Sequence, residues 1–162
     1  MCFSRKRSSM EVHPILPFSP SFSPDAIEDL VARLRRTRYP NAETVEDWSQ
    51  GVPLSYQQEL VDYWARDYDH QRAPSRLNKF ANFKTEIDGL NIHFIHQRSR
   101  HTSATPLLIT HGWPGSVLEY VDLIDALTNP TEHGGSASDA FHVILPALPG
   151  FGFSDKSREP GL

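Results

Sequence analysis

The feature that most constrains this chain is a pair of short apolar runs, each ending in a turn rich in glycine and proline. The first run, residues 106–110, leads directly into the sequence His-Gly-Trp-Pro-Gly-Ser at residues 111–116. The second run, residues 141–146, is followed by Pro-Gly-Phe-Gly-Phe-Ser-Asp at residues 149–155. Short apolar runs bounded by such turns are typical of strands buried in a parallel sheet. We therefore predict two parallel strands, each with a loop at its carboxyl end that can line a site.

The residues between the two runs predict a helix, which completes a strand–helix–strand unit. Ser116 and Glu119 have the spacing of a capping box, and Asn129-Pro130 would end the helix. Its apolar side would consist of Val117, Tyr120, Val121, Ile124 and Leu127. The polar residues 131–139 are expected to form a surface loop. This arrangement is that of an open α/β sheet.

The first hundred residues predict two helices and a β-hairpin. Ser23 is a good N-cap and Pro24 suits the first helical position, so a helix is predicted from there toward Pro40. A second helix is predicted over residues 55–68, and its aromatic face is assigned to core packing. Asp88-Gly89 lies between two segments rich in apolar residues, which predicts the tight turn of a hairpin.

The composition excludes several classes of protein. A chain of 162 residues with 38% hydrophobic and 22% charged residues fits a globular domain with a sizeable core. The net charge of −4 predicts no general attraction to nucleic acid or to an anionic membrane. Cys2 is the only cysteine, which excludes an internal disulfide, and no apolar signal or span follows Arg5-Lys6-Arg7. We expect a soluble, cytoplasmic protein whose residues 1–16 form a disordered tail.

Two patterns that would bind a cofactor or a metal are incomplete in this sequence. Gly150-x-Gly152 followed by Asp155 is similar to a dinucleotide-binding loop, but the third glycine is missing and the loop follows the second strand. His93 and His96 are three residues apart on a strand, so their side chains point to opposite faces. We therefore expect neither a cofactor nor a metal ion.

The loop at residues 111–116 has the composition of a site built from backbone donors. Gly112 permits a close approach of the backbone, and Pro114 stiffens the turn. Such a loop can direct a backbone N–H into a pocket at the carboxyl end of the sheet, or it can be a plain turn between strand and helix. The presence of the second loop favours the site. His111 is interpreted as a structural hydrogen-bonding residue rather than as a base.

These motifs, together with others spread along the chain, resemble the epoxide hydrolase family, in the microsomal-like branch that carries an N-terminal extension before an α/β-hydrolase core. The resemblance covers about residues 17–162. Its motifs lie at residues 18–20, 38–40, 48–51, 63–64, 83–89, 92–96, 111–116 and 145–154. The resemblance implies an α/β fold in which residues 17–100 form a helical and hairpin extension. Residues 101–162 would then begin an α/β-hydrolase sheet that is incomplete.

The resemblance also implies a reaction, the hydrolysis of an epoxide to a vicinal diol through an alkyl-enzyme ester. In the family, the backbone N–H at the position of Trp113 belongs to the oxyanion hole, and the indole would line the substrate pocket. The other implied residues are His111, Gly112 and Pro114 in the first loop and Pro149, Gly150, Phe151 and Gly152 in the second. Neither Gly-x-Asp-x-Gly nor Gly-x-Ser-x-Gly occurs. By the resemblance, the nucleophile and the histidine base would lie beyond residue 162, and the chain alone is predicted to be inactive.

Two other functions stay open. The chain can be a non-catalytic binding or regulatory module that pairs with a full-length hydrolase through an exposed sheet edge, or that self-associates. It can also be part of another α/β-hydrolase, such as a serine esterase, whose nucleophile would be serine. The strand at residues 141–145 is expected to lie beside the missing nucleophile strand. An isolated chain would then expose apolar surface and be poorly soluble or partly molten.

Overall fold

The computed structural model describes residues 13–160. Contacts divide the chain into two compact units. We call Ser21–Ser75 the helical unit, and the described residues on either side of it, 13–20 and 76–160, the sheet unit. This division differs from the predicted boundary at residue 100, because the hairpin pairs with the strands that follow it and therefore belongs to the sheet.

Some predictions fall on residues that the structure does not describe. They concern Cys2, the basic residues 5–7 and all but the end of the tail predicted for residues 1–16. The last residue of that tail, Leu16, lies in a short strand. Among the helices of residues 13–160, none is both long and apolar enough to cross a membrane.

The helical unit is built on two helices. α1 spans Pro24–Leu34 and begins where the sequence predicts, because the Ser23 hydroxyl accepts a hydrogen bond of 3.2 Å from the Ala26 N–H. α2 spans Leu54–Arg66, close to the predicted range. A third helix, α3 at Arg72–Leu77, was not predicted, because six residues are too few to show a helical period.

The aromatic face of α2 is not buried, so its assignment to core packing is wrong. Leu60, Tyr63 and Trp64 are exposed. Together with Phe22 and Ile27 they line an open apolar groove of about 470 Å³ within the helical unit. Two helices that pack side by side cover only one stripe of each other, and the aromatic face of α2 is wider than that stripe.

The sheet unit contains five strands in the order β1-β2-β3-β5-β4. Their bounds are Leu16–Pro17 for β1, Asn82–Ile87 for β2, Leu90–Gln97 for β3, Thr105–Leu108 for β4 and Phe141–Pro146 for β5. β1, β2, β3 and β5 pair antiparallel in that order, and β4 pairs with β5 parallel. The predicted hairpin and the predicted parallel pair are both confirmed. Asp88 and Gly89 form the hairpin turn with φ angles of +50° and +81°, as a two-residue turn of this type requires.

The predicted helix between β4 and β5 is wrong in its form. Two 3₁₀ turns, Val117–Glu119 and Val121–Leu123, come first, and only α4 at Ile124–Thr128 is α-helical. The capping box is present, but the Ser116 hydroxyl accepts from the Leu118 N–H, two residues on, which suits a tighter turn. The residues 131–139 also contain short 3₁₀ turns rather than only loop.

The core of the sheet unit lies on the face that this broken helix covers. The strands contribute Ile95, Val143 and Leu145, which are completely buried. Val121 and Ile124 of the covering segment are buried in the same cluster. The apolar positions predicted for the helix are therefore largely the right ones, although the helix is not regular.

The strand order corrects one further expectation. β5 does not adjoin an open edge, because β3 pairs with one side of it and β4 with the other. The crossover from β4 to β5 returns the chain to the inner side of β4. Within residues 13–160, the edge at this end of the sheet is therefore β4.

Candidate functional site

The two predicted loops meet at one edge of the sheet. β4 and β5 are parallel neighbours, so their carboxyl ends open on the same side. We call residues 109–116 the first loop and residues 147–155 the second loop. His111 of the first loop is buried, with 3% of its surface exposed, and its Nε2 accepts a hydrogen bond of 3.1 Å from the Leu148 N–H. Its ring also packs edge-on against Phe151, with centroids 5.1 Å apart.

The partners of His111 determine its tautomer. Nδ1 lies 2.9 Å from the Gly112 carbonyl oxygen, which can only accept, so Nδ1 carries the hydrogen. Nε2 faces the Leu148 N–H, which can only donate, so Nε2 is unprotonated. Both ring nitrogens are therefore occupied by backbone groups. In this arrangement His111 has no free lone pair to act as a base, which supports its interpretation as a structural residue.

Trp113 presents its backbone rather than a buried side chain. Its side chain is 84% exposed, and its peptide bond to Pro114 is cis. Among residues 13–160, the Trp113 N–H donates no hydrogen bond. A donor without a protein acceptor, at the carboxyl end of a parallel strand, is what an oxyanion site requires.

The first loop closes tightly at Gly115. A Cβ atom at this position would lie 2.7 Å from the Gly112 carbonyl oxygen and would also contact the Glu119 carboxylate. That carboxylate accepts a hydrogen bond of 2.8 Å from the Ser116 N–H. The path of the loop therefore depends on the absence of a side chain at residue 115.

The base of the second loop is held by Ser154. This buried hydroxyl donates to the Ala147 carbonyl oxygen at 2.7 Å and accepts from the His93 N–H at 2.9 Å. The Ala147 N–H in turn donates to the His93 carbonyl oxygen at 2.9 Å. Both ends of the loop are thus joined to the same residue of β3.

Asp155 adds a second attachment to β3. Its Oδ2 accepts from the backbone N–H of Asn91 at 3.0 Å and from the Asn91 side-chain amide at 2.8 Å. These hydrogen bonds, that from the backbone N–H first, hold the pKa of Asp155 below its ordinary value. Within the loop, Gly150 and Gly152 have φ angles of +85° and +52°, which residues with a side chain rarely adopt.

Ser154 belongs to the resembling motif and Asp155 to the incomplete dinucleotide-binding pattern, but sequence reasoning gave neither of them a structural role. Their partners, His93 and Asn91, lie more than sixty residues away along the chain. The available signal was a polar Ser-Asp pair directly after a glycine-rich turn. Such a local pattern does not indicate which distant residues the pair will contact.

His93 is a buried histidine beneath the second loop. Asn82 donates through its amide to the carbonyl oxygens of Leu77 and Phe80, both at 2.8 Å, so its Oδ1 accepts from His93 Nε2 at 3.0 Å. Among the described residues, no partner lies within hydrogen-bond distance of His93 Nδ1. Burial, and then the positive charge of Lys84, lower the pKa of His93 to about 4. His93 is therefore neutral near pH 7 and serves the packing of the sheet.

Comparison with known proteins identifies related chains. The family model described as "Epoxide hydrolase N terminus" matches residues 15–120. A protein of Stigmatella aurantiaca named "Putative epoxide hydrolase" is 59% identical over 147 residues, which cover 91% of this chain and 33% of that protein. Epoxide hydrolase 1 of Sus scrofa is 37% identical, with 95% of this chain and 35% of that protein covered.

Two solved structures have the same fold over the matched part. The Aspergillus niger epoxide hydrolase superposes with a TM-score of 0.77 at 27% identity, over 91% of this chain and 38% of that chain. The juvenile hormone epoxide hydrolase of Bombyx mori superposes with a TM-score of 0.76 at 35% identity, over 93% of this chain and 36% of that chain. The chain thus spans about a third of the length of the curated relatives that it matches.

Proposed function

This chain belongs to the epoxide hydrolase family, and from that premise we propose that it supplies the oxyanion-binding loop of an enzyme that hydrolyses a small-molecule epoxide to a vicinal diol. The observation that carries the proposal is the Trp113 N–H, which has no acceptor within the described residues and lies in a loop that His111 joins to its neighbour. The matched family model includes this loop.

The proposed reaction has two steps, and the loop acts in the second. A carboxylate attacks a ring carbon, the C–O bond of the epoxide breaks, and the departing oxygen takes a proton from a tyrosine hydroxyl, as the family resemblance implies, which leaves a hydroxyalkyl ester. Water then attacks the ester carbonyl while a histidine takes its proton. The carbonyl oxygen becomes an oxyanion, to which the Trp113 N–H would donate. The ester bond then breaks, and the histidine gives its proton to the departing oxygen, which releases the diol.

The carboxylate nucleophile and the histidine base are proposed to come from polypeptide that corresponds to the other two thirds of the relatives. Residues 1–162 contain no Gly-x-Asp-x-Gly motif that could supply the nucleophile. The proposal therefore includes the inactivity of this chain when it is tested alone.

The edge of β4 is the proposed place where that polypeptide joins the sheet. The N–H groups of Thr105 and Ile109 donate toward β5. Backbone groups alternate in direction along a strand, so Pro106 and Leu108 direct theirs the other way, and of these two only Leu108 has an N–H. Leu108 is also 62% exposed. We infer that a parallel strand adds here, with its carboxyl end, and hence the nucleophile, beside the first loop. A cytoplasmic location belongs to the same proposal and is supported by the single cysteine.

The test is complementation. This chain is co-expressed with a polypeptide that corresponds to the two thirds of the Stigmatella relative that it does not match. Diol formation from styrene oxide is then measured for each part and for the pair. We expect turnover only by the pair. Diol formation by this chain alone would contradict the proposal, as would a stable pair that forms no diol.

Two additional assays distinguish the other two functions from the proposed one. A pair that cleaves p-nitrophenyl esters but not epoxides would indicate a different α/β-hydrolase. Stable binding of this chain to an intact relative, with a change in the relative's turnover, would indicate a regulatory module.

A further inference from the structure

We propose that His111 is a positioning residue that sets the direction of the Trp113 N–H. This inference rests on the proposed function, because it names the residue that orients the proposed oxyanion donor. It begins from the hydrogen bond of 2.9 Å between His111 Nδ1 and the Gly112 carbonyl oxygen.

The Gly112 carbonyl and the Trp113 N–H belong to one peptide group. This peptide is trans, because the cis bond of this loop is the following one, between Trp113 and Pro114. In a planar trans peptide the C=O and N–H bonds point in opposite directions. When His111 Nδ1–H holds the carbonyl on one side, the Trp113 N–H must face the other side. The imidazole therefore orients a donor that it does not touch.

The ring of His111 is itself fixed. Its Nε2 accepts from the Leu148 N–H, and its edge packs against Phe151, both in the second loop. A ring flipped about its long axis would place carbon atoms against the Gly112 carbonyl and the Leu148 N–H, and both would lose their partners. Polar groups that lose their hydrogen bonds in a partly buried position cost free energy, so the observed ring orientation is preferred. The second loop thus fixes the His111 ring, and the ring in turn fixes the direction of the donor in the first loop.

Gly115 leaves the space that the same carbonyl occupies. A Cβ atom at residue 115 would lie 2.7 Å from the Gly112 oxygen, closer than van der Waals contact permits. The observed direction of the carbonyl therefore requires that residue 115 has no side chain. The hydrogen bond from His111 then determines the orientation of the peptide plane.

The two nitrogens of His111 can be tested separately. An asparagine amide can take the place of Nδ1–H and donate to Gly112, whereas a glutamine oxygen reaches the place of Nε2 and can accept from Leu148. The variants H111A, H111N and H111Q are made in a fusion of this chain with the unmatched two thirds of the Stigmatella relative. The exposed His133, which pairs with Asp125 at 2.7 Å, provides the control variant H133A.

Single-turnover kinetics with styrene oxide then separate formation of the alkyl-enzyme ester from its hydrolysis. We expect H111A and H111Q to hydrolyse the ester about 100-fold more slowly, as when an oxyanion donor is lost, with ester formation changed less than threefold. H111N should recover most of the hydrolysis rate, and H133A should match the wild type in both steps. A variant that merely weakened the fold would slow both steps together.

Equal slowing of both steps in H111A, or ester hydrolysis at the wild-type rate, would overturn the positioning role. If the wild-type fusion forms no ester, the proposed function fails rather than this inference. The inference is then decided by crystal structures of the wild-type fusion and of H111A. A Gly112 carbonyl that keeps its direction without His111 would overturn it, and a reoriented peptide plane would support it.

Discussion

The first and second loops lie side by side, yet they are held in very different ways. The second loop is attached to β3 at both ends, through the buried Ser154 hydroxyl and through Asp155. The first loop depends on one imidazole, on the lack of a side chain at Gly115 and on the capping contact of Glu119. The second loop is therefore held firmly at both ends. The first loop carries the proposed donor, and the direction of that donor depends on few contacts.

The substitution with the largest expected effect is S154A, which tests the attachment of the second loop to β3. The substitution leaves the buried His93 N–H and the Ala147 carbonyl oxygen without their shared partner. We expect the free energy of unfolding of the fused protein described above, measured by urea titration, to fall by about 3 kcal/mol. S157A is the control, because the Ser157 hydroxyl is exposed and, within residues 13–160, forms hydrogen bonds only with Glu159, two residues along the chain. Equal effects of the two substitutions would show that Ser154 does not anchor the loop.

The next largest effect concerns pH and the buried His93. Its pKa is about 4 in the folded chain against 6.5 for an ordinary histidine, so the unfolded state binds the proton more readily. The free energy of unfolding should therefore lose nothing to His93 well above pH 6.5, and it should decrease as the pH falls from there toward 4. Between pH 7.5 and 5.0 this single group lowers the free energy of unfolding by about 2 kcal/mol.

The matched variant for this prediction is H93Q, which keeps a donor for Asn82 and does not titrate. Its unfolding free energy should depend less on pH over the same range, by about the contribution of His93. A pH dependence identical to that of the wild type would show that other groups cause it.

A smaller effect distinguishes two glycines of the first loop. G115A places a Cβ atom against the Gly112 carbonyl oxygen, whereas a Cβ atom at Gly112 itself meets nothing within 4 Å. We expect G115A to lower the free energy of unfolding by about 1 kcal/mol, and G112A to change it by less than about 0.5 kcal/mol. Thermal melting of both variants checks this difference, and a larger loss in G112A would contradict the described loop path.

The smallest effect is expected from D155N. Asparagine keeps an oxygen for Asn91 but loses the charge, so the destabilisation should be less than that of S154A. Because the pKa of Asp155 is lowered in the fold, its contribution is present above the ordinary carboxyl pKa and is lost as the pH falls below it. Unfolding curves of wild type and D155N should therefore converge in acid. Curves that stay apart would show that the charge is not what Asn91 recognises.

Local patterns predicted the parts of the molecule that local chemistry determines. Asp88-Gly89 gives its turn, Ser23 caps α1, and the two apolar runs form β4 and β5. The helix after Ser116 was predicted too regular, because the spacing of the capping box does not reveal that the Ser116 hydroxyl also accepts from the Leu118 N–H or that the turns that follow are 3₁₀.

The remaining features depend on residues that are distant along the chain. The place of β5 between β3 and β4 follows from pairs such as Ile95 with Leu145, fifty residues apart. The bond from Leu148 to His111 spans 37 residues. The candidate donor at Trp113 was predicted through a family resemblance, whereas the side chains that orient it were found only in the folded structure.

The most direct test of the account compares two substitutions of Trp113 in the fused protein described above. W113P removes the backbone N–H, and W113A removes only the indole. The decay of the alkyl-enzyme ester is followed after a single turnover of styrene oxide. We predict that W113P slows this decay about 100-fold or more, and that W113A slows it less than tenfold. Ester decay in W113P at the wild-type rate would contradict the assignment of the Trp113 N–H as the oxyanion donor.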